Sequence, residues 1–198
     1  MSLPALFRRR RVVRGLLVAS AVVVLVGAAL TDRWFVRPDL DDPGPPGSAD
    51  AIFVLGGGGD RVPYGFDLAR TGVATEVVFA SPFVDGQGPN GSGVWAARPC
   101  NTPPRRGIPD GVTFECVEPD PATTRGEARL LADLADERGW ETVVVVVSTD
   151  QVTRARRLIG RCWDGELRVT AVDHDQAWPI RAVYEWGAGM KATLLRGC

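Results

Sequence analysis

Asp50-Ala51-Ile52-Phe53-Val54-Leu55-Gly56-Gly57-Gly58-Gly59 runs an apolar stretch straight into four glycines. A short, continuous apolar run of this kind suits a strand buried on both faces. A helical stretch follows from about Arg61 to Arg70, and Glu76-Val77-Val78-Phe79-Ala80 reads as a second strand. Strand, glycine loop, helix and strand in this order make a parallel unit with a right-handed crossover.

The same rhythm resumes further along. Thr124 to Arg138 is an amphipathic helix, with Ala128, Leu131, Leu134 and Ala135 on its apolar stripe. Val143 to Val147 is an unbroken valine run and reads as a central strand. Gln151 to Trp163 is a helix, Leu167 to Val172 the last strand, and Trp178 to Leu195 mostly helical. The expectation is a Rossmann-like α/β domain of three layers over residues 50–198, with a mainly parallel sheet. Residues 81–122 interrupt it with a Gly- and Pro-rich insertion containing a short strand near Val112–Val117. An insertion this long inside a compact domain reads as a lid or rim.

Working back towards the N-terminus, residues 34–49 are proline-rich and read as a semi-extended stalk. Residues 15–33 form an apolar segment preceded by a basic tail, 1–14, holding Arg8, Arg9, Arg10, Arg11 and Arg14 and no acid. A hydrocarbon core of roughly 30 Å takes about 20 residues, so this segment is a short membrane span. The arginines should stay on the cytoplasmic side, which puts the domain outside. A cleaved signal peptide is the rival reading, because Gly27-Ala28-Ala29 offers small residues for cleavage. A buried core helix is the bland alternative.

Net charge is −1, but without the tail the chain holds 18 basic against 24 acidic residues, a net −6. Such a domain is a poor partner for nucleic acid, whose phosphates demand surplus Lys and Arg. Cys100, Cys116, Cys162 and Cys198 are an even set in an exported domain and read as two disulfides, with three connectivities open. Cys100–Cys116 would brace the insertion, and Cys162–Cys198 would staple the C-terminus to a helix. Nothing in their spacing suggests zinc, and no metal is expected.

Ligands of open parallel sheets bind at the carboxyl ends of the strands. Gly56, Gly57, Gly58 and Gly59 would let an anion approach the backbone, with Arg61 adding donors. The loop is neither GxGxxG nor a Walker loop, and a tight turn without a ligand is the alternative. Ser148 and Gln151 follow the valine strand. Thr124 and Glu127 have the spacing of a capping box. Arg154, Arg157 and Arg161 share one helical face, ordinarily a solvated one, although Arg154 lies in the first turn near a ligand. His174, the only histidine, lies between Asp173 and Asp175 and reads as an ordinary surface residue, with a general base or a metal ligand as the alternative.

Three blocks in order resemble the YdcF-like family, which includes the SanA and ElyC envelope proteins. These are Asp50 to Gly58 with Arg61 and Gly72-Val73-Ala74, Glu118-Pro119 through Thr124-Arg125-Gly126-Glu127-Ala128, and Val147-Ser148-Thr149 through Arg154-Ala155. The resemblance covers roughly residues 50–190, and the membrane leader is typical of the SanA branch. It implies a Rossmann-like fold and a role in cell-envelope or peptidoglycan biogenesis, with a poorly defined biochemical activity. The expected ligand set is Gly56–Gly59, Arg61, Thr124, Glu127, Ser148, Gln151 and Arg154. Relatives commonly carry histidine where Gln151 stands, and glutamine cannot shuttle protons at neutral pH. Part of the family is associated with S-adenosylmethionine. A domain outside the cytoplasm would not meet that molecule, so no cofactor is expected. The expected partners are the membrane, through a single-pass anchor, and an anionic envelope precursor or the cell-wall machinery.

Overall fold

The computed structural model of the chain describes residues 3–57, 60–81, 100, 107–173, 178–194 and 197–198. Five strands, β1 (Ala51–Val54), β2 (Glu76–Ala80), β3 (Thr113–Val117), β4 (Thr142–Ser148) and β5 (Glu166–Val172), form one sheet. They lie in the order β3-β2-β1-β4-β5, and every neighbouring pair is parallel.

Side-chain alternation along the strands divides the core in two. Ile52, Val54, Val77, Phe79, Val144 and Val146 face α2 (Arg61–Arg70), which contributes Val62, Phe66 and Ala69. Phe53, Leu55, Val78, Val143, Val145 and Val147 face the other side, under α3 (Thr124–Arg138) and α4 (Val152–Cys162). The sheet is therefore covered by helices on both faces, which is why its strands read as unbroken apolar runs. The chain builds outwards from β1 to β3, then returns through α3 to place β4 on the other side of β1. Crossovers leave β1 and β4 on opposite faces, so a crevice opens at their carboxyl ends.

The last helix, α5 (Trp178–Leu194), sits on α4. Arg154 bonds Glu185, Arg157 Nη1 donates to Thr193 Oγ1 at 2.7 Å, and Arg161 Nη1 donates to the Ala192 carbonyl at 2.6 Å. The arginine stripe expected to be solvated is thus the seat of α5, because three guanidinium groups on one helical face offer donors to a neighbouring helix. Of the three connectivities left open by the sequence, the structure takes Cys100–Cys116 and Cys162–Cys198.

At the N-terminus, α1 (Leu3–Thr31) continues into a π-helical turn over Asp32–Val36. Within the 25-residue span Val12–Val36 the most apolar stretch of 18 residues has a mean hydropathy of 2.3 and none of it is buried, so the helix is long and apolar enough to cross a membrane. The exposure of this stretch disposes of the buried-core alternative.

The proline-rich segment is not a free stalk. Asp41 borders the open edge of β5, its N–H donating to the Val169 carbonyl at 2.9 Å while its carboxylate accepts from Val169 N and Arg156. Gly47 and Ala49 donate to the carbonyls of Gly72 and Val73. An exposed parallel edge needs such cover, and composition alone conceals that demand.

Candidate functional site

A cavity of about 510 Å³ opens at the carboxyl ends of β1 and β4, walled by the glycine turn, the start of α3, and facing sides of α4 and α5. Gly56 and Gly57 form its floor. Gly57 has φ 131°, and a Cβ there would lie 2.8 Å from Arg61 Nη1, so only glycine fits.

Arg61 explains that closeness. The side chain is 2% exposed and turns back under the loop, where Nη1 donates to the Leu55 and Gly56 carbonyls and Nη2 to Ser148 Oγ at 2.8 Å. Arg61 and the buried Ser148 therefore clasp the ends of β1 and β4 together beneath the floor, and neither lines the cavity. Both were expected to touch the ligand. An arginine opening a helix has the same sequence signature whichever way its side chain turns.

Above the floor stands Glu127. Its Oε1 accepts from Gly56 N–H at 2.6 Å, and the residue is 7% exposed. The capping box expected of Thr124 and Glu127 does not form. Thr123 takes the extended cap conformation and accepts from Gly126 N–H at 3.3 Å, which puts glycine in the third helical position. A Cβ on Gly126 would collide with the Pro121 carbonyl. The register shift rotates Glu127 one residue further round the helix, towards β1. Burial pushes its carboxyl up to about 7, against the Gly56 N–H, the Arg61 and Arg154 charges and the Thr124 hydroxyl, which all favour the anion.

Three cations share the cavity wall: Arg125 at the start of α3, Arg154 on α4 and Lys191 on α5. Arg154 reaches Glu185 Oε1 at 3.2 Å, with the side chains 12% and 0% exposed. Its Nε has no hydrogen-bond partner among the described residues. Thr124 and Gln151 also line the cavity. Gly58, Gly59, His174 and the 82–99 and 101–106 parts of the insertion lie outside the described residues.

Arg125, Tyr184, Glu185 and Lys191 were not foreseen. Lys191 is the chain's only lysine, and Glu185 the only acid in α5. Those two singularities were the available signals.

A buried carboxyl half-protonated near neutrality can give or take a proton, and the cations beside it favour an anion. Among the described residues no group of three or more His, Cys, Asp and Glu is placed to hold a metal ion. No protein-family model matches the chain, and no curated protein matches its sequence.

Proposed function

We propose that this chain is a membrane-anchored, extracytoplasmic YdcF-like protein of cell-envelope or peptidoglycan biogenesis. Its cavity takes an anionic precursor, phosphorylated or lipid-linked, and Glu127 exchanges a proton with that ligand. The observation that carries this reading is a buried Glu127, seated on the Gly56 N–H and lining one cavity with Arg125, Arg154 and Lys191. Five arginines ahead of the apolar helix favour an outside domain, and two disulfides suit an oxidising compartment.

Lys191 is exposed on the cavity wall, so its removal tests binding without disturbing the core. Lys191→Ala should weaken binding of a short-chain isoprenoid phosphate to the detergent-solubilised full chain by about tenfold, the loss of one charge-assisted bond. Unchanged affinity in calorimetric titration would remove the anion pocket from the proposal.

A second reading, a non-catalytic module that scaffolds cell-wall machinery, draws on Gln151, which lines the cavity where relatives commonly hold histidine. It requires Glu127→Gln to leave the protein's role in the cell intact. Loss of that role would favour proton exchange.

A further inference from the structure

The helix α5 presents four distinct sides. At about 100° per residue, Val183, Gly187, Met190 and Leu194 fall within an arc of about 60°. Val183, Met190 and Leu194 are 76%, 59% and 80% exposed. Glu185 and Ala192 lie opposite and are buried. Tyr184, Ala188 and Lys191 occupy one flank and line the cavity. Trp186 occupies the other.

That second flank is where the apolar N-terminal helix ends. Trp186 Nε1 donates to Thr31 Oγ1 at 2.9 Å, and its ring meets those of Trp34 and Phe35 at centroid distances of 5.4 and 5.6 Å. Thr153 Oγ1, in the first turn of α4, donates to the Trp34 carbonyl at 3.0 Å. The foot of the helix is therefore fixed at the carboxyl edge of the sheet, the edge that bears the cavity. Passing round α5, the order is helix foot, exposed apolar stripe, cavity. Aromatic clusters at the end of an apolar helix belong at the membrane–water boundary. A stripe continuous with that boundary faces the same bilayer.

We propose that α5 lies along the surface of the membrane that holds α1, with Val183, Met190 and Leu194 among the lipid tails and the cavity mouth open to the headgroups. This rests on the anchor reading and deepens the proposed function. The ligand is an amphiphile whose anionic head enters between Tyr184 and Lys191 while its hydrocarbon tail stays in the bilayer. Amphipathic helices bind bilayers in this way through apolar area on one side and basic residues beside it. Lys191 borders the stripe and can reach phosphate.

The native cysteines are all paired, so an introduced one is the only free thiol. Leu194→Cys and Asp110→Cys, the latter exposed near the amino end of β3, would carry an environment-sensitive fluorophore on the full chain in lipid nanodiscs. The expected result is quenching by shallow nitroxide lipids at least about threefold stronger at 194 than at 110. Equal, weak quenching at both would overturn the proposal. A blue shift at 194 without lipid quenching, seen only in discs with two copies, would overturn it in favour of a contact between chains.

Binding separates this inference from the functional one. Met190→Asp with Leu194→Asp should weaken uptake of a long-chain isoprenoid phosphate in nanodiscs about tenfold, while a water-soluble short-chain phosphate binds as before. Equal loss of both would overturn the delivery route. Strong lipid quenching at 194 with no phosphate bound by the native chain would uphold the membrane face and overturn the proposed ligand.

Discussion

The two ends of the parallel sheet handle charge in opposite ways. At the amino end, Arg138 bonds Glu76 and, at 2.7 Å, Glu115, and its guanidinium lies 5.5 Å from the Trp140 ring centre. Asp50 accepts from the N–H groups of Glu141 and Thr142, both at 2.8 Å, and so ties the start of β1 to the start of β4. These groups are partly exposed and satisfied by one another. At the carboxyl end, charges lie deeper and face a cavity. Glu127 is buried where its anion is disfavoured, and Arg154 keeps a buried Nε without a partner among the described residues. Polar groups held at a cost to stability belong where a ligand completes them. Among the described residues no buried side-chain group without a partner lies at the amino end, and its charges serve to hold the strands together.

The sharpest break in this contrast comes from the clasp beneath the cavity. Arg61→Ala leaves Ser148 Oγ and the Leu55 and Gly56 carbonyls short of a buried donor. The expected cost is about 4 kcal/mol, the sum of several unmet buried groups. Thermal unfolding of the detergent-solubilised chain checks it. A loss within experimental error would mean that the clasp contributes nothing to stability.

Glu127→Gln should change stability in the opposite direction. The folded carboxyl keeps its proton up to about pH 7, whereas the unfolded one releases it near 4.5. Folding therefore takes up a proton between these values, and the native chain loses stability as pH rises through that window, by about 3 kcal/mol in all. Glutamine can still accept from Gly56 N–H and has no charge to bury. The variant should match the native chain near pH 4 and exceed it by about 3 kcal/mol at pH 8, while losing proton exchange with the ligand. Parallel pH profiles for the two proteins would place the ionised carboxylate comfortably in the fold and remove its claim to acid–base work.

What the sequence revealed follows the same division. The valines of β4, the apolar stripe of α3 and the glycine turn after β1 were legible because each is local and periodic. The capping residue was misplaced by one, since Thr123 and Thr124 are equivalent on paper and only the fit of Gly126 against Pro121 selects between them. Glu127 was legible only as half of a capping box with Thr124, because its contact with Gly56 joins residues 71 apart in the chain. Tyr184 and Lys191 escaped notice because α5 reaches the cavity only after Arg154, Arg157 and Arg161 have seated it. The proline-rich segment looked like a stalk because a strand edge in need of cover leaves no mark on the residues that cover it.

The smallest expected effect lies at the amino end. Arg138 side chain and Glu76 side chain are each 26% exposed and Glu115 is 51% exposed, so water already screens the network. Glu115 first, then Glu76, raise the affinity of Arg138 for its proton against modest desolvation, which keeps the guanidinium charged throughout the accessible pH range. Arg138→Ala should then cost about 1 kcal/mol in low salt, and less as salt rises. Ligand affinity at the far end of the sheet should not change. Denaturant unfolding at two ionic strengths, with a binding titration on the same samples, measures both. A loss of binding that accompanies so small a loss of stability would show that the two ends communicate through β1 and β4, and that the amino end is more than scaffold.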